Sequence, residues 1–75
     1  MSPREVFKSA LLANAVSIIL CHNHPSGDLT PSKEDVQTTK LFIEAGELLG
    51  IKVFDHIIVS DKGYETLRDY CKFPN

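Results

Sequence analysis

Apolar and polar residues recur along this chain with two different periods, and the period changes wherever a turn-forming residue intervenes. Val6, Phe7, Ala10, Leu11 and Asn14 fall on one face at helical spacing, with Leu12 off that face, which predicts a first helix. Ser2 stands where a cap is needed, Pro3 suits the first helical position, and Glu5 would complete a capping box with Ser2. Asn14 is a favourable place for the helix to stop. Residues 16–21 are almost wholly apolar and rich in β-branched side chains, the composition of a central strand covered on both faces. A second helix is expected over residues 33–49, stopped by Gly50. At roughly 100° per residue, Thr38, Leu41, Phe42, Ala45, Leu48 and Leu49 form its apolar stripe. Val36 and Ile43 fall opposite, among Lys40, Glu44 and Glu47, as a minor exposed pair or a partner surface. Residues 51–59 are a second strand, so strand, helix and strand make a right-handed parallel crossover. Asp61-Lys62-Gly63 is a hairpin turn that returns the chain as a short antiparallel strand at residues 64–67. Residues 68–71 are expected as a final helical turn, and residues 73–75 as a fraying end.

The fold class that follows is α/β: a βαβ unit with a three-stranded mixed sheet and two helices, in a single domain over residues 1–75. At 75 residues one core is near the limit of what is enough on its own. The apolar fraction of 43% and charged fraction of 24% are those of an ordinary globular protein. No run of eighteen apolar residues and no signal-peptide pattern is present, so neither a membrane span nor secretion is expected. Cys21 and Cys71, far apart in sequence, make no disulfide framework, and the simpler setting is a reduced cytoplasm with Cys21 as a small buried hydrophobe. Net charge is −2 and the basic residues are scattered singly, without the aromatic-lined basic stripe that base stacking requires. Nucleic-acid binding by this segment is therefore disfavoured.

The chemistry concentrates between Cys21 and Asp35. In extended backbone, residues two apart point to the same side, so His22 and His24 can aim two imidazoles at one point. Pro25, Gly27 and Pro31 force the chain to turn before Ser32, and Asp35 then falls in the first turn of the second helix. Two imidazoles and a carboxylate are a three-ligand set for one Zn²⁺ with the fourth position open to water, the composition of catalytic zinc sites. Each half of the pattern has an ordinary alternative. His-x-His alone is a weak signal, and Ser32-x-x-Asp35 alone is a common capping box. Capping would still leave Ser32 a proton to donate, because a hydroxyl can cap through a lone pair. Asp28 could approach a metal, but Ser26-Gly27-Asp28 is ordinary turn chemistry and is taken as such. Asn23 faces away from its neighbours and ties the turn to backbone, while alternation points Cys21 away from His22. His56 is expected as a satisfied or partly exposed strand histidine. The literal His-Asn-His string is not the signature of the HNH nucleases, which spread their residues over a ββα unit.

H-x-H-x(7)-S-x(2)-D, here His22, His24, Ser32 and Asp35, resembles the JAMM motif of the JAB/MPN metallopeptidase-like superfamily. The string HNHPSGDLTPSKED, with PREVFKSALLANAVSIIL before it and DHIIVSDKGYETL after it, resembles the RadC branch of that superfamily. The resemblance implies the carboxy-terminal part of a JAB/MPN (cytidine deaminase-like) fold, lacking the family's amino-terminal strands. It implies zinc held by His22, His24 and Asp35, and Ser32 as the catalytic group that stabilises an oxyanion. The family's general base is a glutamate on a strand upstream of the histidines. Glu5, the only acidic residue before His22, reads as a helix start instead. The expected function is a metallopeptidase-like domain acting on an amide or isopeptide bond of a peptide substrate, weak or inactive as it stands. The alternatives are a non-enzymatic interaction module, self-associating through an open sheet edge, and a DNA-repair accessory, which rests only on the branch's traditional label.

Overall fold

The computed structural model describes residues 1–74, so the end of the expected fraying segment, Asn75, lies outside the described residues. The chain forms helix α1 (Pro3–Leu12), strand β1 (Ser17–Asn23), helix α2 (Lys33–Leu49), strands β2 (Lys52–Ser60) and β3 (Gly63–Thr66), and a 3₁₀ turn at Leu67–Asp69. The sheet order is β1-β2-β3, with β1 parallel to β2 and β3 antiparallel to it. This is the expected α/β unit with a three-stranded mixed sheet and two helices.

The first helix starts without the expected capping box. Ser2 is extended at the cap position, but its side chain makes no capping hydrogen bond, so Pro3 with its pre-set φ carries the start. The helix stops as anticipated, where Asn14 takes a left-handed φ of 56°. Phe7 and Ala10 are its buried residues, and the Phe7 ring lies 5.7 Å from that of Phe42 on α2.

Strand β1 is not the central, doubly covered strand its composition suggests. Among the described residues it pairs only with β2, and alternate residues face outward. Leu20 is buried, whereas Ile19, Cys21 and, just before the strand, Val16 are exposed, Val16 to 80%. Cys21 is therefore not a buried hydrophobe. The central strand is β2, which gains its second neighbour through the two-residue turn at Asp61 and Lys62.

The buried face of α2 is also rotated from the expected stripe. Asp35, Thr39, Phe42 and Gly46 are buried, and Val36 and Ile43 pack against the core instead of forming an exposed pair. Leu41 and Leu48 point to solvent, Leu48 to 89%. The cause is that three of the four buried positions are polar or glycine, so counting apolar residues misplaces the face. Gly46 marks the closest approach of helix to strand: a Cβ built there would sit 2.3 Å from the Ile51 carbonyl oxygen. Gly50 then ends the helix as expected, with φ 72°.

A register shift between Ile18 and Ile19 pairs Ile18 with Val53 but Ile19 with Asp55, so Phe54 is an extra residue in β2. Such a bulge reverses the facing of everything beyond it. Val53, His56 and Ile58 all become buried, although simple alternation puts Val53 opposite the other two. The outward Phe54 ring is covered by the Arg68 guanidinium, 4.9 Å from its centroid, and the same group lies 5.1 Å from the ring of Phe73. Phe73 is buried, so this residue packs where fraying was expected.

Gly46→Ala tests the close approach. Alanine gains about 1 kcal/mol of helix propensity, but overpacking against a fixed carbonyl costs about 1–3 kcal/mol. Urea denaturation should therefore show net destabilisation, and a stabilised variant would mean that α2 can move off β2.

Candidate metal centre

His22 and Asn23 end β1, His24 follows it, and Asp35 stands in the first turn of α2. Parallel pairing continues to Asn23↔Val59, and the His24 backbone N–H donates to the Val59 carbonyl at 2.9 Å. The strand end is thus held in the sheet up to the last histidine. The loop then turns sharply, with Gly27 at φ 85° donating its N–H to the His24 carbonyl at 3.1 Å. Asp28 has the turn role expected of it: its carboxylate accepts the Thr30 N–H at 2.9 Å, and that bond holds its carboxyl below the usual range.

Helix α2 begins with a complete capping box. Ser32 Oγ accepts the Asp35 N–H at 3.0 Å, and Asp35 Oδ2 accepts the Ser32 N–H at 2.8 Å. The capping reading of this pair is correct, and it does not compete with ligation. Asp35 Oδ1 is 3.3 Å from His22 Nδ1, and Oδ2 is 3.1 Å from His24 Nε2. Ligand atoms of His22, His24 and Asp35 all lie within 4.8 Å of one another, so the structure brings together the three residues expected to hold the metal. Ser32 is exposed beside them, and its capping bond uses a lone pair, leaving its proton free to donate.

Burial of Asp35 pushes its carboxyl upward, but hydrogen bonding from Ser32 and the nearby imidazoles outweigh it and hold the group below its usual range. The Nδ1 of His24 lies 2.8 Å from the Asp28 carbonyl oxygen, which can only accept, so Nδ1 carries a proton. In a neutral ring, the Nε2 lone pair then faces the Asp35 oxygen. Two acceptors in contact call for a cation between them, whether a proton or a metal ion.

His56 departs from its expected role. It is 1% exposed, its Nδ1 lies 2.6 Å from Thr39 Oγ1, and its Nε2 finds no hydrogen-bond partner among the described residues. With His22, Glu34, Asp35, Thr38 and Met1 it lines a cavity of about 190 Å³ that reaches two of the three clustered residues. A larger depression of about 280 Å³, between the end of α2 and Ile51–Val53, contains none of the ligand residues. Composition and spacing gave no sign of His56, because the bulge at Phe54 turns it inward.

A model of the RadC-like JAB domain matches residues 1–72. A UPF0758 protein of Staphylococcus haemolyticus is 62% identical over 65 residues, covering 87% of this chain and 28% of that protein. One from Caldanaerobacter subterraneus subsp. tengcongensis is 66% identical over 59 residues, 79% of this chain and 25% of its own length. One from Methanosarcina acetivorans is 57% identical over 67 residues, covering 89% of this chain and 29% of its own. The chain belongs to the RadC-like JAB domain family, and it spans less than a third of the curated relatives it matches.

Burial, with His22 nearby, holds the His56 pKa below its usual 6.5, against a smaller opposing pull from Asp35 and Asp55. Below pH 6.5 the unfolded chain takes up this proton before the folded one does. The stability contributed by neutral His56 is therefore complete above pH 6.5 and declines as pH falls toward the folded value. Urea midpoints of the metal-free chain should drop between about pH 7 and about pH 5, and His56→Gln should flatten that slope. An unchanged slope would place the titration elsewhere.

Proposed function

We propose that this chain is the metal-binding part of a JAMM-type metallopeptidase-like domain acting on amide or isopeptide bonds. One Zn²⁺ is held by His22, His24 and Asp35. The observation that carries the proposal is the clustering of one potential ligand atom from each of His22, His24 and Asp35 within 4.8 Å of one another, with the Asp35 carboxylate facing both imidazoles. A carboxylate and two imidazoles are a hard-to-borderline donor set that suits zinc and leaves a coordination position for water. Zinc bound there supplies Lewis acidity and a water acidified toward a pKa of ~7.

The chain's own residues do the rest. The Asp28 carbonyl orients His24 through Nδ1, and the α2 cap fixes Asp35. Ser32 offers its unused proton to an oxyanion forming beside the ligands. The family resemblance assigns the proton shuttle to an upstream glutamate, and Glu5 does not fill that part because it lies in the first turn of α1. A general base of that kind contributes ~10²–10⁴ in rate. The proposed substrate is a peptide or isopeptide and the proposed setting is cytoplasmic. Among the described residues, no helix is long and apolar enough to cross a membrane.

Metal content per chain, measured after purification without chelator, tests the proposal directly. The parent should carry about one zinc, and His22→Ala with His24→Ala should carry almost none. A folded parent without metal would sink it. Any hydrolysis by the zinc-loaded chain on a peptide and isopeptide panel should fall about 10²–10³-fold in Ser32→Ala. Turnover indifferent to that change would remove Ser32 from the chemistry.

A second reading, self-association, is favoured by one observation: β1 has a neighbour on one side only among the described residues, with Ile19 exposed along it. Sedimentation should then show dimers at micromolar concentration, and a monomer throughout that range would dismiss the idea.

A further inference from the structure

The buried pair His56 and Thr39 is not explained by the ligand trio, and its protons can be assigned. Thr39 Oγ1 lies 2.7 Å from the Asp35 carbonyl oxygen, which only accepts, so the single hydroxyl proton goes there. The contact of 2.6 Å between Thr39 Oγ1 and His56 Nδ1 must then be donated by the ring. His56 is fixed as the Nδ1–H tautomer, and its buried Nε2 carries a lone pair without a partner among the described residues.

His22 has the opposite need. Its Nδ1 faces Asp35, so when that nitrogen is given to a cation the ring proton sits on Nε2. Metal-binding histidines nearly always donate their second nitrogen to an acceptor that fixes the ring. His24 has the Asp28 carbonyl for this purpose, whereas no hydrogen bond from the second nitrogen of His22 is formed among the described residues. The His22 and His56 rings lie 6.1 Å apart, centroid to centroid, with planes 24° from parallel, and both line the 190 Å³ cavity. The His22 side chain is 41% exposed, so its ring has room to adjust.

Resting on the metal site proposed above, we propose that His56 is a positioning residue of that site: its Nε2 accepts the Nε2–H of His22, directly or through one water in the shared cavity. The relay runs from the Asp35 carbonyl through Thr39 and His56 to His22. It links two ligands that stand on different elements, the first turn of α2 and the end of β1. The bulge at Phe54 is what aims His56 into this position.

Two measurements on the 75-residue chain test it. Long-range nitrogen–proton correlation spectra of the histidine rings should show His56 protonated on Nδ1, with and without zinc. Protonation on Nε2 would overturn the proposal, since that nitrogen would then be a donor. Zinc titrations should show about a 10–100-fold loss of affinity in His56→Phe, which lacks the acceptor. His56→Gln, whose amide oxygen reaches about as far as Nε2, should stay near the parent. Equal affinity in a folded His56→Phe, or a loss in His56→Gln as large as in His56→Phe, would overturn it. If His56→Phe does not fold, the tautomer and the glutamine variant decide. A parent that takes up no zinc defeats the metal site itself; a parent that binds zinc with no dependence on His56 defeats only this inference.

Discussion

The Asp35 carboxylate takes the Ser32 N–H at 2.8 Å while its two oxygens reach 3.3 and 3.1 Å from the two imidazoles. Much of the molecule depends on that double engagement. The first bond closes the cap that starts α2, and α2 is the crossover without which β1 and β2 could not pair in parallel. The second set of contacts draws the end of β1 toward the start of α2. A helix cap is worth about 1 kcal/mol, so the carboxylate that faces the imidazoles is already held by the helix start. The cap also holds the carboxylate still before any cation arrives.

The histidines are held by different means. His24 is fixed by backbone on both sides: its N–H is bonded to Val59, and its ring to the Asp28 carbonyl. The Asp28 carboxylate, bonded to the Thr30 N–H, keeps that carbonyl in place, so Asp28 contributes through its main chain. His22 stands more exposed, 41% for its side chain against 17% for His24, and its orientation rests on neighbouring side chains instead of the loop. The two rings meet nearly edge to face at 4.9 Å, which lets both present a nitrogen to one point.

The clustering of His22, His24 and Asp35 was legible because its signals are local: a two-residue spacing, a forced turn and a helix start lie within fourteen residues, from His22 to Asp35. Element types and order were legible for the same reason. What could not be read depends on long-range placement. The buried face of α2 is marked by Asp35, Thr39 and Gly46, two of which are buried for hydrogen bonding and one for lack of a side chain. A count of apolar residues selects Leu41 and Leu48 instead, and they face solvent. The position of β1 at the edge follows from the partners it lacks among the described residues, which its own composition cannot express. The burial of His56 was not legible because it depends on one bulge residue, Phe54, which inverts the alternation along β2.

A domain this small has few buried positions to spare, yet Asp35, Thr39 and His56 occupy three of them. Hydrogen bonds join them into one seam: Thr39 bonds to the Asp35 carbonyl and to the His56 ring. A satisfied seam of this kind is close to neutral for stability, whereas each unmatched buried polar atom costs about 1–3 kcal/mol. The seam is matched everywhere except at His56 Nε2. An aliphatic side chain at that position would remove the mismatch. Folding alone therefore gives no reason for an imidazole there. A reason is offered instead by the cavity that His56 lines with His22, the proposed ligand whose ring has no fixed acceptor among the described residues.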